Sequence, residues 1–201
     1  MKRDTDAFQF NINQEKPLYS GFYSMKHLTV SHQRYDGKTL TIERELMDRH
    51  DAVCLLLVDF NAEKFVFIEQ FRVGALREAN PWLIEMVAGL IDKDERPDEV
   101  ARREANEEAG VEVGQLEFIC KYLPSPGGTN ERVFLYVGEV DSSTASGIHG
   151  LDEEGEDIRV HTPSFQEAYQ WLEDGQIINA ASIIALQWFQ LNEQRLKQQW
   201  A

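Results

Sequence analysis

The chain is short of several things, and each shortage removes a class of protein. Only two cysteines occur in 201 residues, Cys54 and Cys120, each in an apolar segment without a cysteine or histidine at metal-ligand spacing. A disulfide scaffold and a zinc site are thereby excluded, and reduced, buried thiols are expected. The longest apolar run, Ala52 to Val58, is seven residues, and the opening Met-Lys-Arg-Asp-Thr-Asp carries no apolar stretch. No membrane span or signal peptide is expected, so a cytoplasmic protein is. Positive charge is scarce: 20 Lys and Arg stand against 35 Asp and Glu, for a formal net charge of −15. Without a basic stripe, such a chain repels nucleic acid and anionic membrane. The five histidines are scattered, no Ser-His-Asp or Cys-His pattern stands out, and neither repeats nor low-complexity tracts occur. A nucleophilic side chain is not the expected engine of any chemistry here.

What is abundant is carboxylate at ordered spacing. The run from Gly89 through Glu95, Pro97, Arg103-Glu104 and Glu107-Glu108 to Gly110 predicts a helix opened by Pro97 and closed by Gly110. It covers about three and a half turns. Val100, Ala101, Ala105 and Ala109 give it a narrow apolar stripe, while Glu104 and Glu108 stack one turn apart. Two stacked anions weaken a bare helix, although an acidic helix is most often just a solvated face. A hard cation between them would make the arrangement stable, because Mg²⁺ and Mn²⁺ take carboxylate oxygens and bridge to phosphates. Arg103 and Glu107 form a second i,i+4 pair, suited to holding a carboxylate beside such an ion.

Around this helix the periodicities suggest an α/β chain. Residues 18 to 47 alternate as strands around an Asp36-Gly37 turn, predicting a small antiparallel sheet. Core strands are predicted at 52–60 and 64–70 around the turn Asn61-Ala-Glu63, and Leu83 to Val87 leads into the carboxylate run. Further strands are expected at 116–123 and 132–140. A capping box at Ser164 and Glu167 opens a helix ending at Gly175, and a last helix runs from about Asn179 towards Trp200. The division expected is residues 1–50 as the N-terminal sheet and 51–201 as the catalytic domain, with 1–17 unassigned. Between Ser146 and Val160, five acids lie among glycines in a segment too polar to pack.

The spacing of glycine, Glu95, Arg103-Glu104, Glu107-Glu108 and Gly110 resembles the signature of the Nudix hydrolases, with Ala105 smaller than the usual bulky aliphatic. That resemblance implies the Nudix fold, a mixed sheet sandwiched between helices, and hydrolysis of a nucleoside diphosphate linked to another group. It implies a metal site of Glu104 and Glu108, with Glu107 and the Ala88 carbonyl as further ligands and Mg²⁺, or Mn²⁺ in its place, as the ion. A proline sixteen residues beyond Gly110, Pro126, resembles the ADP-ribose pyrophosphatase branch, as do the segments Pro81 to Gly89, Ser125 to Thr129 and Glu156 to Val160. The resemblance runs from about residue 18 to the C-terminus and departs at Val73 to Asn80.

By that branch resemblance, Glu154 is the base that deprotonates water and Glu156 an extra metal ligand. Phe22 and Tyr23 would flank adenine, with Arg44, Glu45, Arg49, Arg72, Leu90, Ser125, Pro126, Gly127 and Glu131 as further substrate contacts. The same resemblance implies a homodimer that exchanges its N-terminal sheets, with ADP-ribose cleaved to AMP and ribose 5-phosphate. Another sugar nucleotide such as GDP-mannose, a catalytically silent ADP-ribose-binding module, and an acidic helix that engages a protein partner stay open as alternatives.

Overall fold

The computed structural model describes residues 8–92, 94–151, 153 and 155–200. By its internal contacts the chain divides into two units: residues 1–50 with 123–131, and residues 51–122 with 132–201.

The first unit is an antiparallel three-stranded sheet of β1 (Phe10–Ser20), β2 (Ser24–Gln33) and β3 (Thr39–Asp48), with β2 in the middle. The turn between β2 and β3 is where it was expected, with Gly37 at φ 82°. The strand β1 was not expected before residue 18. Its opening, Phe10-Asn-Ile-Asn-Gln-Glu-Lys-Pro17, alternates weakly and has bulges where its pairing with β2 shifts register. Residues 123–131 join this unit because the Met47 N–H donates to the Gly128 carbonyl (2.8 Å) and the Arg49 N–H to Asn130 Oδ1 (3.0 Å).

The second unit is built on a mixed sheet. Its path is β10 (Ile148–His149), β11 (Ile158–His161), β5 (Lys64–Phe71), β4 (Ala52–Asp59), β9 (Val133–Glu139) and β8 (Leu116–Tyr122). Two short strands branch from it, β6 (Trp82–Glu85) from β5 and β7 (Val87–Leu90) from β4. All pairings are antiparallel except that of β4 with β9. Helix α1 (Pro97–Ala109) covers one face, and α2 (Phe165–Glu173) and α3 (Ala180–Trp200) serve the other.

This layering explains the unbroken apolar run in β4. Val53, Leu55 and Leu57 pack with Val100, Ala101, Ala105 and Ala109 of α1, whereas Leu56 and Val58 pack with Phe165, Leu186 and Phe189. A strand buried on both faces needs apolar side chains at both parities. Each such side chain contributes about 1.5–3 kcal/mol on burial. At the end of β4, Asp59 accepts the N–H groups of Asn61, Ala62 and Ser142 and the Ser142 hydroxyl, which fixes the following turn. The acidic segment is less irregular than expected, because β10 and β11 pair across it and extend the sheet.

Candidate active site

Helix α1 opens and closes where Pro97 and Gly110 predict, and a capping contact from Glu99 adds to them. Pro97 occupies the first position, the Glu99 carboxylate accepts the Arg96 N–H (2.9 Å), and Gly110 closes the helix at φ 64°. The Gly110 and Val111 amides then donate to the Asn106 and Ala105 carbonyls. With its alanine stripe against the sheet, α1 carries Glu104 and Glu108 beside β7.

Glu108 is 2% exposed, and its Oε2 accepts the Ala88 N–H at 2.9 Å. Burial pushes this carboxyl well above its usual range. The Ala88 amide and the Arg72 charge oppose the shift, and the charges of Glu104 and Glu156 add to it. Glu104 is likewise pushed up to about 7 by burial, against the pull of Arg103, with Glu107 and Glu156 adding repulsion. Arg103 is the hub of the neighbouring carboxylates. It donates to both oxygens of Glu95 (3.2 Å each), to Glu104 (2.9 Å) and to Glu107 (2.8 Å). Burial alone would lower its pKa, but these anions outweigh it and keep the guanidinium firmly charged.

Three carboxylates, Glu104, Glu108 and Glu156, thus repel one another, with Arg103 and Arg72 as their opposing charges. Their donor chemistry is all oxygen, which fits a hard divalent cation. Among the described residues they do not close into a finished cage, since Glu104 turns to Arg103 and Glu108 to the Ala88 amide. Glu156 also holds its own loop, with Oε2 accepting the Leu151 N–H at 3.1 Å. Glu154 lies outside the described residues.

Arg72, at the end of β5, donates from Nε to Glu85 Oε2 at 2.6 Å. The acid Glu85 was missed by the sequence reading, although a glutamate inside the apolar segment Leu83 to Val87 was the signal. Leu90, the last residue of β7, pairs with Ala52 of β4.

Several other expected substrate contacts fall in the first unit. The Arg49 guanidinium lies 4.9 Å from the Tyr23 ring centroid and 3.1 Å from Glu131. Its Nε is buried without a hydrogen-bond partner among the described residues. Phe22 meets Tyr23 edge to face at 4.8 Å and is 79% exposed. Ser125, Pro126 and Gly127 form an exposed turn in which the Ser125 carbonyl accepts the Gly128 and Thr129 amides. Arg44 and Glu45 are successive residues of β3 and so point to opposite faces of the sheet.

A Nudix domain model matches residues 48–181, spanning the whole carboxylate helix and the sheet around it. The chain belongs to the Nudix family. Members of this family typically use a divalent metal. The chain is 50% identical to the ADP-ribose pyrophosphatase of Escherichia coli K12, over 94% of its own length and 92% of that protein. It is 41% identical to the Haemophilus influenzae ADP-ribose pyrophosphatase, over 92% and 88%. To the GDP-mannose pyrophosphatase of Escherichia coli O1:K1 the identity is 32%, over 92% and 96%. A crystal structure described as an ADP compounds hydrolase superposes with a TM-score of 0.71, covering 95% of this chain and 96% of that one. At 19% identity that likeness speaks for the fold alone. Among the described residues, no helix is long and apolar enough to cross a membrane.

Proposed function

We propose that this Nudix protein hydrolyses the pyrophosphate bond of ADP-ribose, giving AMP and ribose 5-phosphate. The observation that carries this reading is the 50% identity to an ADP-ribose pyrophosphatase over nearly the whole chain, against 32% to a GDP-mannose pyrophosphatase. A full set of carboxylates at Glu95, Glu104, Glu107 and Glu108 favours an enzyme over a silent binding module.

In this reading, Glu104 and Glu108, with Glu107, Glu156 and the Ala88 carbonyl, hold Mg²⁺, and Mn²⁺ can replace it. The bound ion would offset the charge that develops on the diphosphate oxygens. Arg103 keeps Glu104 and Glu107 oriented, which limits the reorganisation needed at the reacting phosphate. Glu154 takes the proton from the attacking water, a task open to a carboxylate that is not a ligand. Arg72 contacts the diphosphate, Phe22 and Tyr23 flank the adenine, and Arg44, Glu45, Arg49, Leu90, Ser125, Pro126, Gly127 and Glu131 complete the pocket.

A homodimer with exchanged N-terminal sheets, residues 1–50, is part of the same proposal. In β1, β2 and β3 no residue is fully buried, and Phe10, Ile12, Leu18 and Phe22 stand exposed. Apolar surface on that scale suits a second copy of the chain. A sedimentation mass of one chain would remove the dimer from the proposal, and turnover of ADP-ribose with Mg²⁺ tests the reaction.

A further inference from the structure

Arg72 reaches the site from a strand end, where a long side chain has many rotamers. Its Nε is held by Glu85, and no hydrogen bond from its two terminal nitrogens is found among the described residues. That leaves the outer edge of the guanidinium, the edge that pairs with phosphate oxygens, without a hydrogen-bond partner among the described residues while its stem is held.

Glu85 is itself fixed. It is 5% exposed, and while Oε2 takes the Arg72 proton, Oε1 accepts from Asn179 Nδ2 at 2.6 Å. Asn179 precedes the first turn of α3, and its Oδ1 accepts the Ser182 N–H at 3.2 Å. The two ends of this amide therefore have opposite jobs, acceptor to the helix and donor to the carboxylate, which sets its orientation. Ser182 Oγ accepts the Met86 N–H at 3.3 Å, so the residue after Glu85 is tied to the same helical turn. The chain of contacts runs from the start of α3 through a buried carboxylate to the arginine whose charge reaches Glu108.

We infer that Asn179 and Glu85 are positioning residues that aim Arg72 at the substrate diphosphate, so that the first turn of α3 takes part in substrate binding without touching substrate. This rests on the reading of Arg72 as a diphosphate contact. The orientation matters because a guanidinium fork binds two oxygens only in one plane, and one hydrogen bond to a charged group misplaced at this point costs about tenfold in affinity.

The test is Asn179→Asp, which keeps the cap acceptor for α3 but replaces the donor to Glu85 with a second anion. Asn179→Ser is the companion, since its shorter side chain also caps a helix but loses the Nδ2 donor that reaches Glu85, without adding a charge. Each is made alone and in an Arg72→Ala background. KM and kcat for ADP-ribose are measured with Mg²⁺, and Kd for ADP-ribose by calorimetry with Mg²⁺ withheld, so the comparison does not depend on turnover. The expected result is a rise of about tenfold in KM and Kd for Asn179→Asp, with kcat within about threefold and a smaller rise for Asn179→Ser. Both effects should vanish once Arg72 is alanine. If the Asn179 variants weaken binding equally with and without Arg72, the positioning role is overturned. If Arg72→Ala alone leaves Kd and KM unchanged, there is no arginine contact to aim and the inference falls with it. Failure of the functional reading would show separately, as wild-type protein that does not turn over ADP-ribose.

Discussion

Glu104 fills the space that a side chain on residue 89 would need: a Cβ on Gly89 would lie 1.9 Å from Glu104 Oε1. The first glycine of the carboxylate run is therefore there to admit a metal-ligand candidate from the helix across from it, not to bend the chain. Gly89 pairs regularly with Val53 in the sheet.

Gly89→Ala should displace the Glu104 carboxylate while the strand pairing survives, because the atoms in the way are the end of a flexible side chain. A misplacement of about 1 Å at a reacting centre costs on the order of 100-fold. The expectation is a loss of that size in kcat with a thermal midpoint within a few degrees of wild type. Wild-type kcat would show that Glu104 does not act from this position.

Glu108→Gln keeps the shape of the side chain and an oxygen to accept the Ala88 amide, but removes the charge a cation needs. Loss of a ligand should lower turnover by on the order of 1,000-fold. Because burial, and after it repulsion from Glu104 and Glu156, disfavours the charged carboxyl, stability without Mg²⁺ should be equal or higher. Turnover and chemical denaturation check the two halves, and wild-type turnover would end the metal assignment.

At Asp59, burial alone would raise the carboxyl, but the hydrogen bonds from Ser142, Ala62 and Asn61 outweigh it and hold it below its ordinary value of 3.8. A folded-state value below the unfolded one means the stabilisation is present above about pH 4 and fades as pH falls through the folded value. Asp59→Asn should cost about 1–3 kcal/mol at pH 7. It should also flatten the loss of stability on acidification below pH 4, measured by denaturation from pH 7 to pH 3. A variant that keeps the wild-type acid limb would assign that limb to other groups.

Arg49→Lys keeps the charge near Glu131 but loses the flat cation over Tyr23 and the fork geometry. KM for ADP-ribose should rise about tenfold with kcat little changed, as expected of a contact made equally in ground and transition states. A fall in kcat at constant KM would move Arg49 from substrate binding to the chemical step.

Much of this was legible in the chain. The capped helix and the positions of the core strands along the chain follow from periodicity and punctuation that local physics enforces. Three things were not. The strand from Phe10 is weakly patterned because its side chains stay exposed, so no alternation of burial marks it. The pairing of β10 with β11 depends on residues on either side of a polar loop, which sequence periodicity does not link. The Glu85 to Asn179 bond joins residues 94 apart, and neither is unusual in its own segment. Local signals report where an element starts and which face it buries, whereas contacts of this kind exist only once the sheet and α3 are assembled.

Hydrolysis of ADP-ribose is decided by a product assay: purified protein with Mg²⁺ and equal concentrations of ADP-ribose, GDP-mannose, NADH and a diadenosine polyphosphate, the products separated by chromatography. AMP and ribose 5-phosphate should form fastest from ADP-ribose and be absent when Mg²⁺ is chelated. Faster cleavage of GDP-mannose, or binding of ADP-ribose without cleavage, would rule out an ADP-ribose pyrophosphatase.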